Sequence, residues 1–308
     1  MRRLQIPEIV RARALLRGDE GLAWLDGLPA LTASLAQDWD LELGSVLSGG
    51  TDALVMACRS HDRQEVVLKV MMPGLTPGND QVRALLAFGG RGYAAVHRHD
   101  AGRNAILLEK LGPQLSELGL PVASQIGFIC ATLRETWRAN PDGAGFTTGA
   151  EKADSLAGFI AELWRQFEGV CAQRTVDRAY DFADLRRRAF DPATCVLAHG
   201  DAHAANTLTA PGDGTRFKFI DPDGLFIERA YDLAIPMREW GDELLAGDPV
   251  LLGRRRCEQL ARLTGVDPNP IWQWGLIERV STGLLLHQLG QEQLAREFLS
   301  VADAWAAA

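Results

Sequence analysis

Three side chains that carry oxygen lie along residues 199–221 at a spacing that suits phosphate chemistry. Asp201 and Asn206 are five residues apart in the stretch HGDAHAANTL. Asp221 follows in FKFIDPDG, after a predicted strand, turn and second strand. A hairpin in this order would bring the three side chains to one end. A carboxylate there can orient an attacking hydroxyl, and hard oxygen ligands can hold Mg²⁺ against a triphosphate.

This pattern predicts phosphoryl transfer, with Asp201 acting on the hydroxyl and Asn206 and Asp221 binding the metal. Asn suits a metal site because it adds a neutral carbonyl oxygen to a ligand set that is already anionic. The same residues could instead form an Asx-rich loop that caps a helix. The IDPDG segment favours the catalytic interpretation, because it supplies the third oxygen donor where the hairpin would place it.

The first hundred residues contain two further features that suit a bound phosphate. Gly49 and Gly50 lie in LSGGTDALV between two strand-like segments, where a bare backbone can approach phosphates. Adjacent glycines also occur in plain hairpin turns. Lys69 lies inside the apolar segment EVVLKVM, and burying an ammonium group without a partner is costly. A lysine at this position needs a partner, unless it points to solvent from an edge strand.

The elements around these glycines and this lysine are predicted to be mainly strands. A helical N-terminus leads to the segment Leu41–Gly44, and the apolar stretches on either side of SHDR predict a hairpin. The segment TPGNDQVRALLAF predicts a helix with Asn79 as a candidate cap. Two more strands flank a predicted turn at 100–104.

The rest of the chain is predicted to be mainly helical. After the linker-like segment GPQLSELG, apolar residues follow helical spacing to about Arg138, over 151–172 and through most of 250–306. The sequence therefore predicts an α+β fold with two lobes. A small β-rich lobe is expected at residues 1–111 and a larger, mainly helical lobe at 112–308.

Length and composition limit the class of protein. The chain has 308 residues, of which 47% are hydrophobic and 23% charged, as in ordinary globular proteins. No apolar run approaches the roughly 18 residues that span a bilayer, and the basic start lacks the apolar region and cleavage site of a signal peptide. Five dispersed cysteines without CxxC spacing favour reduced thiols in a cytoplasm over a disulfide framework or a zinc site.

Acidic residues are concentrated in one window of the chain. The net charge is −8, which argues against general nucleic-acid binding. Residues 199–250 contain ten acidic and four basic side chains, so this window carries a charge of −6. It forms either a solvated acidic face or an electronegative site for metal ions and a cationic substrate.

These motifs resemble those of the aminoglycoside phosphotransferases, a family with a protein-kinase-like fold. The family's catalytic-loop pattern H-G-D-x-x-x-x-N is present as HGDAHAAN, and its metal-binding I-D pattern as IDPDG. The segments TGAEKADSLAGFI, GLFIERAYDLAIPMREW and IERVSTGLLLHQLG resemble the branch of streptomycin 6-kinases and hydroxyurea kinases. The resemblance covers nearly the whole chain, and it implies a bilobal fold, ATP as phosphoryl donor and Mg²⁺ as cofactor.

The resemblance also implies roles for single residues around the nucleotide. Lys69 would contact the α- and β-phosphates, and Gly49 and Gly50 would cover them. The segment ILLEKLG resembles the hinge of the family. There the backbone C=O of Glu109 and the N–H of Leu111 would bind the adenine edge.

One position departs from the family pattern. Where the family has a glutamate that pairs with the strand lysine, this chain has Gln81, with Asp80 beside it. Gln81 could hydrogen-bond Lys69 without neutralising it, Asp80 could reach Lys69 instead, or the alignment could be off by one residue.

Several residues near the catalytic loop are expected to support the structure. Asp232 resembles a family aspartate that supports the loop through hydrogen bonds, and His199 is expected to hydrogen-bond the nearby backbone. Asp223 is either a turn residue or a neighbour of the metal ligands, with the turn favoured, and the role of His203 stays open. Trp272 and Trp274 are expected in the core.

The sequence therefore predicts an ATP-dependent O-phosphotransferase that acts on a small cationic hydroxylated molecule. A streptomycin-type aminoglycoside is favoured as acceptor, because carboxylates can bind guanidinium groups in bidentate fashion. Candidate contacts are Glu228, Glu239, Asp242 and Glu243. One alternative is a kinase of another small alcohol or a hydroxamate such as hydroxyurea. The other is a nucleotide-binding pseudokinase that acts as an interaction module, which the departure at Gln81 motivates. No nucleic-acid or membrane partner is expected, and the oligomeric state is left open.

Overall fold

The computed structural model describes residues 4–48, 50, 52–74, 80–212 and 214–308. Gly49 and the candidate cap Asn79 lie outside the described residues. The internal contacts of the chain divide it into two compact units, residues 1–112 and 113–308. This division lies one residue beyond the predicted lobe boundary.

The first unit is built on one antiparallel sheet. Its elements are, in chain order, α1 (Glu8–Leu15), α2 (Gly18–Trp39), β1 (Leu41–Val46), β2 (Ala53–Ser60), β3 (Glu65–Met71), α3 (Asp80–Phe88), β4 (Val96–Asp100) and β5 (Ala105–Glu109). The strands follow the order β1-β2-β3-β5-β4. The predicted hairpin around SHDR is present, because β2 pairs with β3. The two strands predicted around the turn at 100–104 are β4 and β5, which also pair.

The side chains of β3 alternate between two faces, with the core of the first unit on one face and Lys69 on the other. Val66, Leu68 and Val70 are buried on one face and belong to a hydrophobic cluster with Leu54 and the apolar side chains of α2. Lys69 lies between two of these residues, so its side chain leaves the strand on the opposite face. It is still only 7% exposed, which excludes the solvent-facing edge-strand interpretation.

The second unit is mainly helical. Its helices are α4 (Val122–Ala139), α5 (Gly149–Gln166), α6 (Gln173–Arg188), α7 (Arg229–Arg238), α8 (Gly241–Leu245), α9 (Pro249–Thr264), α10 (Pro268–Gln288) and α11 (Glu292–Ala306). Its strands are β6 (Thr147–Thr148), β7 (Cys195–Ala198), β8 (Thr207–Thr209), β9 (Phe217–Phe219) and β10 (Leu225–Glu228). The strands form a three-stranded sheet, β6-β10-β7, and the β8–β9 hairpin.

The predicted helix over 151–172 ends earlier than expected: it corresponds to α5 alone, and residues 167–172 connect α5 to α6. α5 starts where Thr148 caps it, with the Thr148 Oγ1 accepting from the N–H of Glu151 and the Glu151 carboxylate accepting in return. It ends at Gln166. Gly169 then has φ +87°, a left-handed conformation that cannot continue a right-handed helix, and α6 begins after it.

Helix α10 forms the centre of the second unit and contacts α5, α6, α7, α9 and α11. Trp272 and Trp274 are buried on it, as predicted. A Cβ atom at Gly275 would lie 2.8 Å from the Cβ of Met237 on α7. The absence of a side chain at Gly275 therefore lets α7 approach α10 closely.

The five cysteines are all free thiols. Across the described part of the chain, no helix combines the length and the hydropathy that crossing a membrane requires.

Two helix-interior glycines should respond in opposite ways to alanine. A Cβ at Gly253 on α9 would lie 2.6 Å from the Trp305 Nε1, so Gly253→Ala should lower the free energy of unfolding by about 1–3 kcal/mol through overpacking. Gly158 on α5 is exposed with no atom in the way, so Gly158→Ala should raise it by about 0.5–1 kcal/mol. Urea denaturation measures both. Equal effects would contradict the close contact at Gly253.

Candidate active site

The β8–β9 hairpin brings the predicted catalytic and metal-binding residues together. The N–H of Ile220 donates to the carbonyl of Asn206 at 3.0 Å, so Asn206 and Asp221 leave the same end of the hairpin. The Asn206 Nδ2 donates to the carbonyl of Asp201 at 3.1 Å and lies 3.5 Å from the Asp201 Oδ2. The arrangement follows from the local spacing that the sequence shows.

His199 joins the catalytic loop to the segment that carries Asp221. The N–H of Asp201 donates to the His199 Nδ1 at 3.1 Å, which leaves the proton on Nε2 to be donated to the carbonyl of Ile220 at 2.9 Å. The N–H of Asp223 donates to the His199 carbonyl at 2.7 Å. Burial lowers the pKa of His199 to about 4, so the ring is neutral at pH 7 and serves the structural role that was expected.

Asp232 supports the loop from the other side. Its Oδ1 accepts from the N–H of Gly200 at 2.9 Å, and its Oδ2 accepts from the Trp137 Nε1 at 2.8 Å. Burial raises the pKa of Asp232 to about 6, although both donors act in the opposite direction. The support expected of Asp232 is present, and Trp137 is a second partner that sequence reasoning missed.

Gly200 must be a glycine for two reasons. Its φ is +87°, which disfavours a side chain. A Cβ atom there would also lie 2.8 Å from the Cβ of Asp223. Asp223 therefore packs over the loop directly beside Asp201. Its pKa is raised to about 6, first by desolvation and also by the nearby Asp201 and Glu278.

The carboxylate of Asp201 is held by charged and polar partners. Its Oδ1 accepts from the Arg238 Nη2 at 2.7 Å, and its Oδ2 lies 3.3 Å from the His203 Nε2. Burial acts to raise the pKa of Asp201, but the hydrogen bond with His203 and the charge of Arg238 hold it well below its usual range. Asp201 is therefore an anion throughout the physiological pH range.

Arg238 was missed at the level of sequence, although it lies in a quoted segment. Besides Asp201, its Nη1 donates to the Glu278 Oε2 at 3.2 Å and its Nε donates to the Glu239 Oε1 at 3.1 Å. The Tyr231 hydroxyl donates to the Glu278 Oε1 at 2.6 Å. One guanidinium thus connects three carboxylates. The local sequence around Arg238 does not predict its contacts with Asp201 and Glu278, because these residues lie 37 and 40 positions away along the chain.

His203 starts the short 3₁₀ turn Ala204–Asn206 that carries the carboxamide. The His203 Nδ1 accepts from the N–H of Ala205 at 3.2 Å, so its Nε2 carries the proton that faces Asp201. Burial lowers the pKa of His203, but the contact with Asp201 raises it by more. The role of His203, which the sequence left open, is therefore at least structural: His203 caps the turn and contacts the Asp201 Oδ2.

The backbone of Asp221 has an unusual conformation, with φ +56°. Asp tolerates this left-handed region better than most residues, and such conformations cluster at functional sites. The donor set suits Mg²⁺, which in enzymes takes one or two protein oxygens and completes its shell with water and substrate phosphates. Because the Asn206 Nδ2 is bound to Asp201, its carbonyl oxygen is left to accept or to coordinate. Among the described residues there is no cluster of three or more His, Cys, Asp or Glu suited to a metal ion.

In the first unit, Lys69 and Gln81 are in contact. The Lys69 Nζ donates to the Gln81 Oε1 at 3.0 Å, and Asp80 instead accepts from the Arg83 Nη1 at 2.6 Å. Of the three sequence alternatives, the structure thus favours a direct hydrogen bond between Lys69 and the neutral Gln81. The alignment that places Gln81 opposite the lysine is consistent with this contact.

The other nucleotide-binding candidates are held by local structure. A Cβ at Gly50 would lie 2.9 Å from the carbonyl oxygen of Ala53, so only glycine fits there without a shift. The Glu109 N–H donates to the Ala95 carbonyl at 2.8 Å, and the Glu109 Oε2 accepts from the Ala95 N–H at 3.0 Å. Leu111 follows the end of β5 and is buried.

Three of the four acidic candidates for substrate contact are bound to arginines of the same unit. Glu228 accepts from Arg186 at 3.3 Å, Glu239 from Arg238 at 3.1 Å, and Glu243 from Arg256 at 3.0 Å. These ion pairs reduce the charge that the acidic window offers to a substrate. Asp242 is exposed.

Comparison with known proteins gives matches over most of the chain. The model of the aminoglycoside/hydroxyurea antibiotic resistance kinase family matches residues 38–290. The streptomycin 6-kinase of Streptomyces griseus is 26% identical over 295 residues, which cover 94% of this chain and 92% of that protein.

Solved structures show the same fold. Choline kinase LicA from Streptococcus pneumoniae has a TM-score of 0.63 at 13% identity, covering 91% of this chain and 99% of that chain. The aminoglycoside phosphotransferase APH(3″)-Id from Streptomyces rimosus, in complex with ADP and streptomycin, has a TM-score of 0.52 at 17% identity, covering 83% and 98%. These likenesses confirm the predicted α+β, protein-kinase-like fold with a small β-rich N-terminal lobe and a larger, mainly helical C-terminal lobe.

The support that Asp232 gives the loop can be tested through its two donors. Asp232→Asn should lower the free energy of unfolding by about 1–3 kcal/mol, because the carboxamide can accept from only one N–H and leaves the other buried donor unsatisfied. Trp137→Phe removes one donor, so Asp232→Asn/Trp137→Phe should cost less than the sum of the single changes. Strictly additive values in urea denaturation would contradict a shared network.

Proposed function

The chain belongs to the aminoglycoside/hydroxyurea antibiotic resistance kinase family, and on that premise we propose that it transfers the γ-phosphoryl group of ATP to a hydroxyl of a streptomycin-type aminoglycoside. The observation that carries the proposal is the convergence of Asp201, Asn206 and Asp221 at the end of one hairpin. Family membership makes the chain a phosphotransferase, so the interaction-module alternative is set aside.

Asp201 is proposed to orient the acceptor hydroxyl. Its carboxylate is held in place by Arg238 and His203, and its pKa lies well below the usual range. Such a group is a weak base toward an alcohol in the ground state. A phosphoryl transfer with a loose transition state demands little early deprotonation, so Asp201 takes the proton late, as the new P–O bond forms. The leaving ADP oxygen departs with the electron pair of the broken bond.

Asn206 and Asp221 are proposed to hold Mg²⁺. The hydrogen bond from the Asn206 Nδ2 leaves the carbonyl oxygen of that side chain to coordinate, and the left-handed backbone of Asp221 is of a kind that clusters at functional sites. Bound there, Mg²⁺ supplies charge neutralisation to the phosphates during transfer. The two protein ligands act by fixing where that charge lies relative to Asp201.

Five positions in the first unit are proposed to bind ATP. Lys69 contacts the α- and β-phosphates, Gly49 and Gly50 cover the phosphates, and the backbone of Glu109 and Leu111 binds the adenine edge. The burial of Lys69 and its hydrogen bond to Gln81 support this, because they fix the ammonium in one direction. The steric limit at Gly50 also supports a bare backbone in that loop.

The acceptor is proposed from the relatives and from charge. The relative with 26% identity is a streptomycin 6-kinase, and the residues around Asp201 include more carboxylates than cations. A second candidate acceptor is a small neutral molecule such as hydroxyurea. The family description includes it, and the ion pairs of Glu228, Glu239 and Glu243 leave fewer carboxylates for a cation.

A panel of acceptors separates these candidates. The purified enzyme with ATP and Mg²⁺ should release ADP with streptomycin, release less with an aminoglycoside that carries amines but no guanidinium groups, and release little with hydroxyurea. Phosphorus NMR of the product identifies the modified group. Turnover on hydroxyurea alone would overturn the aminoglycoside assignment and leave the phosphotransferase assignment intact.

The same assay tests Asp201. Asp201→Asn keeps the size of the side chain but removes the acceptor for the proton, so kcat should fall by roughly 10²–10⁴-fold. Asp26 is an exposed carboxylate on α2, and Asp26→Asn serves as the matched control that keeps wild-type kcat. Unchanged turnover in Asp201→Asn would refute its assigned role.

Loss of a metal ligand should raise the Mg²⁺ concentration that the enzyme needs. Asp221→Asn removes an anionic ligand, so more Mg²⁺ should be needed for half-maximal turnover at fixed ATP. Binding of Mn²⁺ in the presence of ADP, followed by electron paramagnetic resonance, should weaken in the same variant and stay unchanged in Asp26→Asn. Identical Mn²⁺ affinity in wild type and Asp221→Asn would exclude this ligand.

A further inference from the structure

The C-terminal end of α7 is held in an unusual way. The helix ends at Arg238, so its last carbonyls have no partner within the helix. Pro236 lies inside this turn, and Trp240 follows with φ +50°, a left-handed conformation for a bulky residue. Such a turn persists only where the surroundings fix it.

Two buried arginines fix this turn by binding its carbonyls. Arg279 on α10 is fully buried; its Nε donates to the Met237 carbonyl at 3.0 Å and its Nη2 to the Glu239 carbonyl at 3.2 Å. Arg256 on α9 donates through Nη1 to the same Glu239 carbonyl at 2.7 Å. The two guanidinium groups therefore meet on one carbonyl oxygen, and positive charge there also complements the C-terminal end of the helix dipole.

This arrangement is unfavourable for the charge of Arg279. Burial, together with the neighbouring charge of Arg256, lowers the pKa of Arg279 to about 9. The flat faces of Phe298 and Trp305 lie 5.4 Å and 5.0 Å from its guanidinium carbon and compensate in part. Replacing buried ionic groups by well-packed apolar ones is often neutral or stabilising, so fold stability alone does not require an arginine here.

The side chain that this turn carries is Arg238. Arg279 binds the backbone carbonyls of the two residues adjacent to Arg238, Met237 and Glu239. The guanidinium of Arg238 reaches Asp201 at 2.7 Å and Glu278, the residue before Arg279, at 3.2 Å. Helix α10 thus holds both the backbone around Arg238 and its side chain.

We propose that Arg238 is a positioning residue for Asp201, and that Arg279, assisted by Arg256, locks the turn that delivers Arg238 to the Asp201 carboxylate. The inference rests on the proposed role of Asp201 at the acceptor hydroxyl. Arg238 directs one carboxylate oxygen, so the other is presented to the hydroxyl in one orientation. Arg279 acts only through Arg238 and contacts neither substrate.

The test compares single and double variants of the full-length enzyme. Arg238→Met and Arg279→Met should each lower kcat by about 10²-fold, the loss expected for a displacement near 1 Å, and leave the KM for ATP unchanged. Arg238→Met/Arg279→Met should lose no more than Arg238→Met alone, because both changes break one chain of contacts. Arg279→Lys, which keeps a donor and a charge, should recover part of the loss.

Arg186→Met is the matched control for the removal of a poorly exposed arginine. Arg186 pairs with Glu228 at 3.3 Å and, within the described part of the chain, makes no hydrogen bond to the turn at 236–240, so this variant should change thermal stability but keep kcat. Equal losses of kcat in Arg186→Met and Arg279→Met would reduce Arg279 to a general stabiliser and overturn the proposal. So would additive losses in the double variant.

Failure of this inference differs from failure of the proposed function. If Asp201→Asn loses turnover while Arg238→Met and Arg279→Met keep it, only the positioning role is wrong. If Asp201→Asn keeps turnover, the role of Asp201 itself is wrong. Should Arg279→Met not fold, Arg279→Lys takes its place: a lower kcat with an unchanged KM for ATP supports the proposal, and a wild-type kcat overturns it.

Discussion

The catalytic loop depends on how the negative charge of Asp201 is compensated. A carboxylate that is only partly open to water requires donors or cations around it. Here one oxygen faces Arg238 at 2.7 Å and the other lies near His203 and Asn206. These partners fix the orientation of the carboxylate as well as its charge state. A group held in this way suits the orientation of a hydroxyl better than early removal of its proton.

The rest of the loop holds that carboxylate and the oxygens proposed to bind Mg²⁺ in fixed relative positions. His199 binds the backbone on both sides of the site, and Asp232 binds the N–H of Gly200 from beneath. Both are buried, so their hydrogen bonds are made in a medium where an unsatisfied partner is costly, and the loop has few alternative conformations.

The buried arginines of α9 and α10 extend this logic away from the site. Two like charges share one carbonyl oxygen at the end of α7, an arrangement that a purely apolar core would avoid. We propose that this arrangement fixes the orientation of the Arg238 side chain toward Asp201. Electrostatic orientation in enzymes depends on such fixed dipoles and charges, because they need no rearrangement when the reaction occurs.

The sequence by itself determined the features that rest on local spacing. Asp201, Asn206 and Asp221 lie on one loop and hairpin, and the strand position of Lys69 follows from the alternation of β3, so both could be recognised along the chain. The paired strands of the first unit and the helical second unit followed in the same way, whereas the family was inferred from the resemblance of its motifs. The end of α5 at Gln166 was predicted too late and α6 was not predicted, because the left-handed backbone of Gly169 that separates them leaves no mark on the apolar spacing.

Only the tertiary structure decided which charges meet. Arg238 lies 37 residues from Asp201 and 40 from Glu278, and the carbonyls that Arg279 binds are about as distant along the chain. Such pairs depend on how α7, α9 and α10 pack, and a sequence pattern with a period of a few residues carries no record of them. The acidic window shows the same limit. Its net charge could be counted, but its division between internal ion pairs and free carboxylates is set by packing.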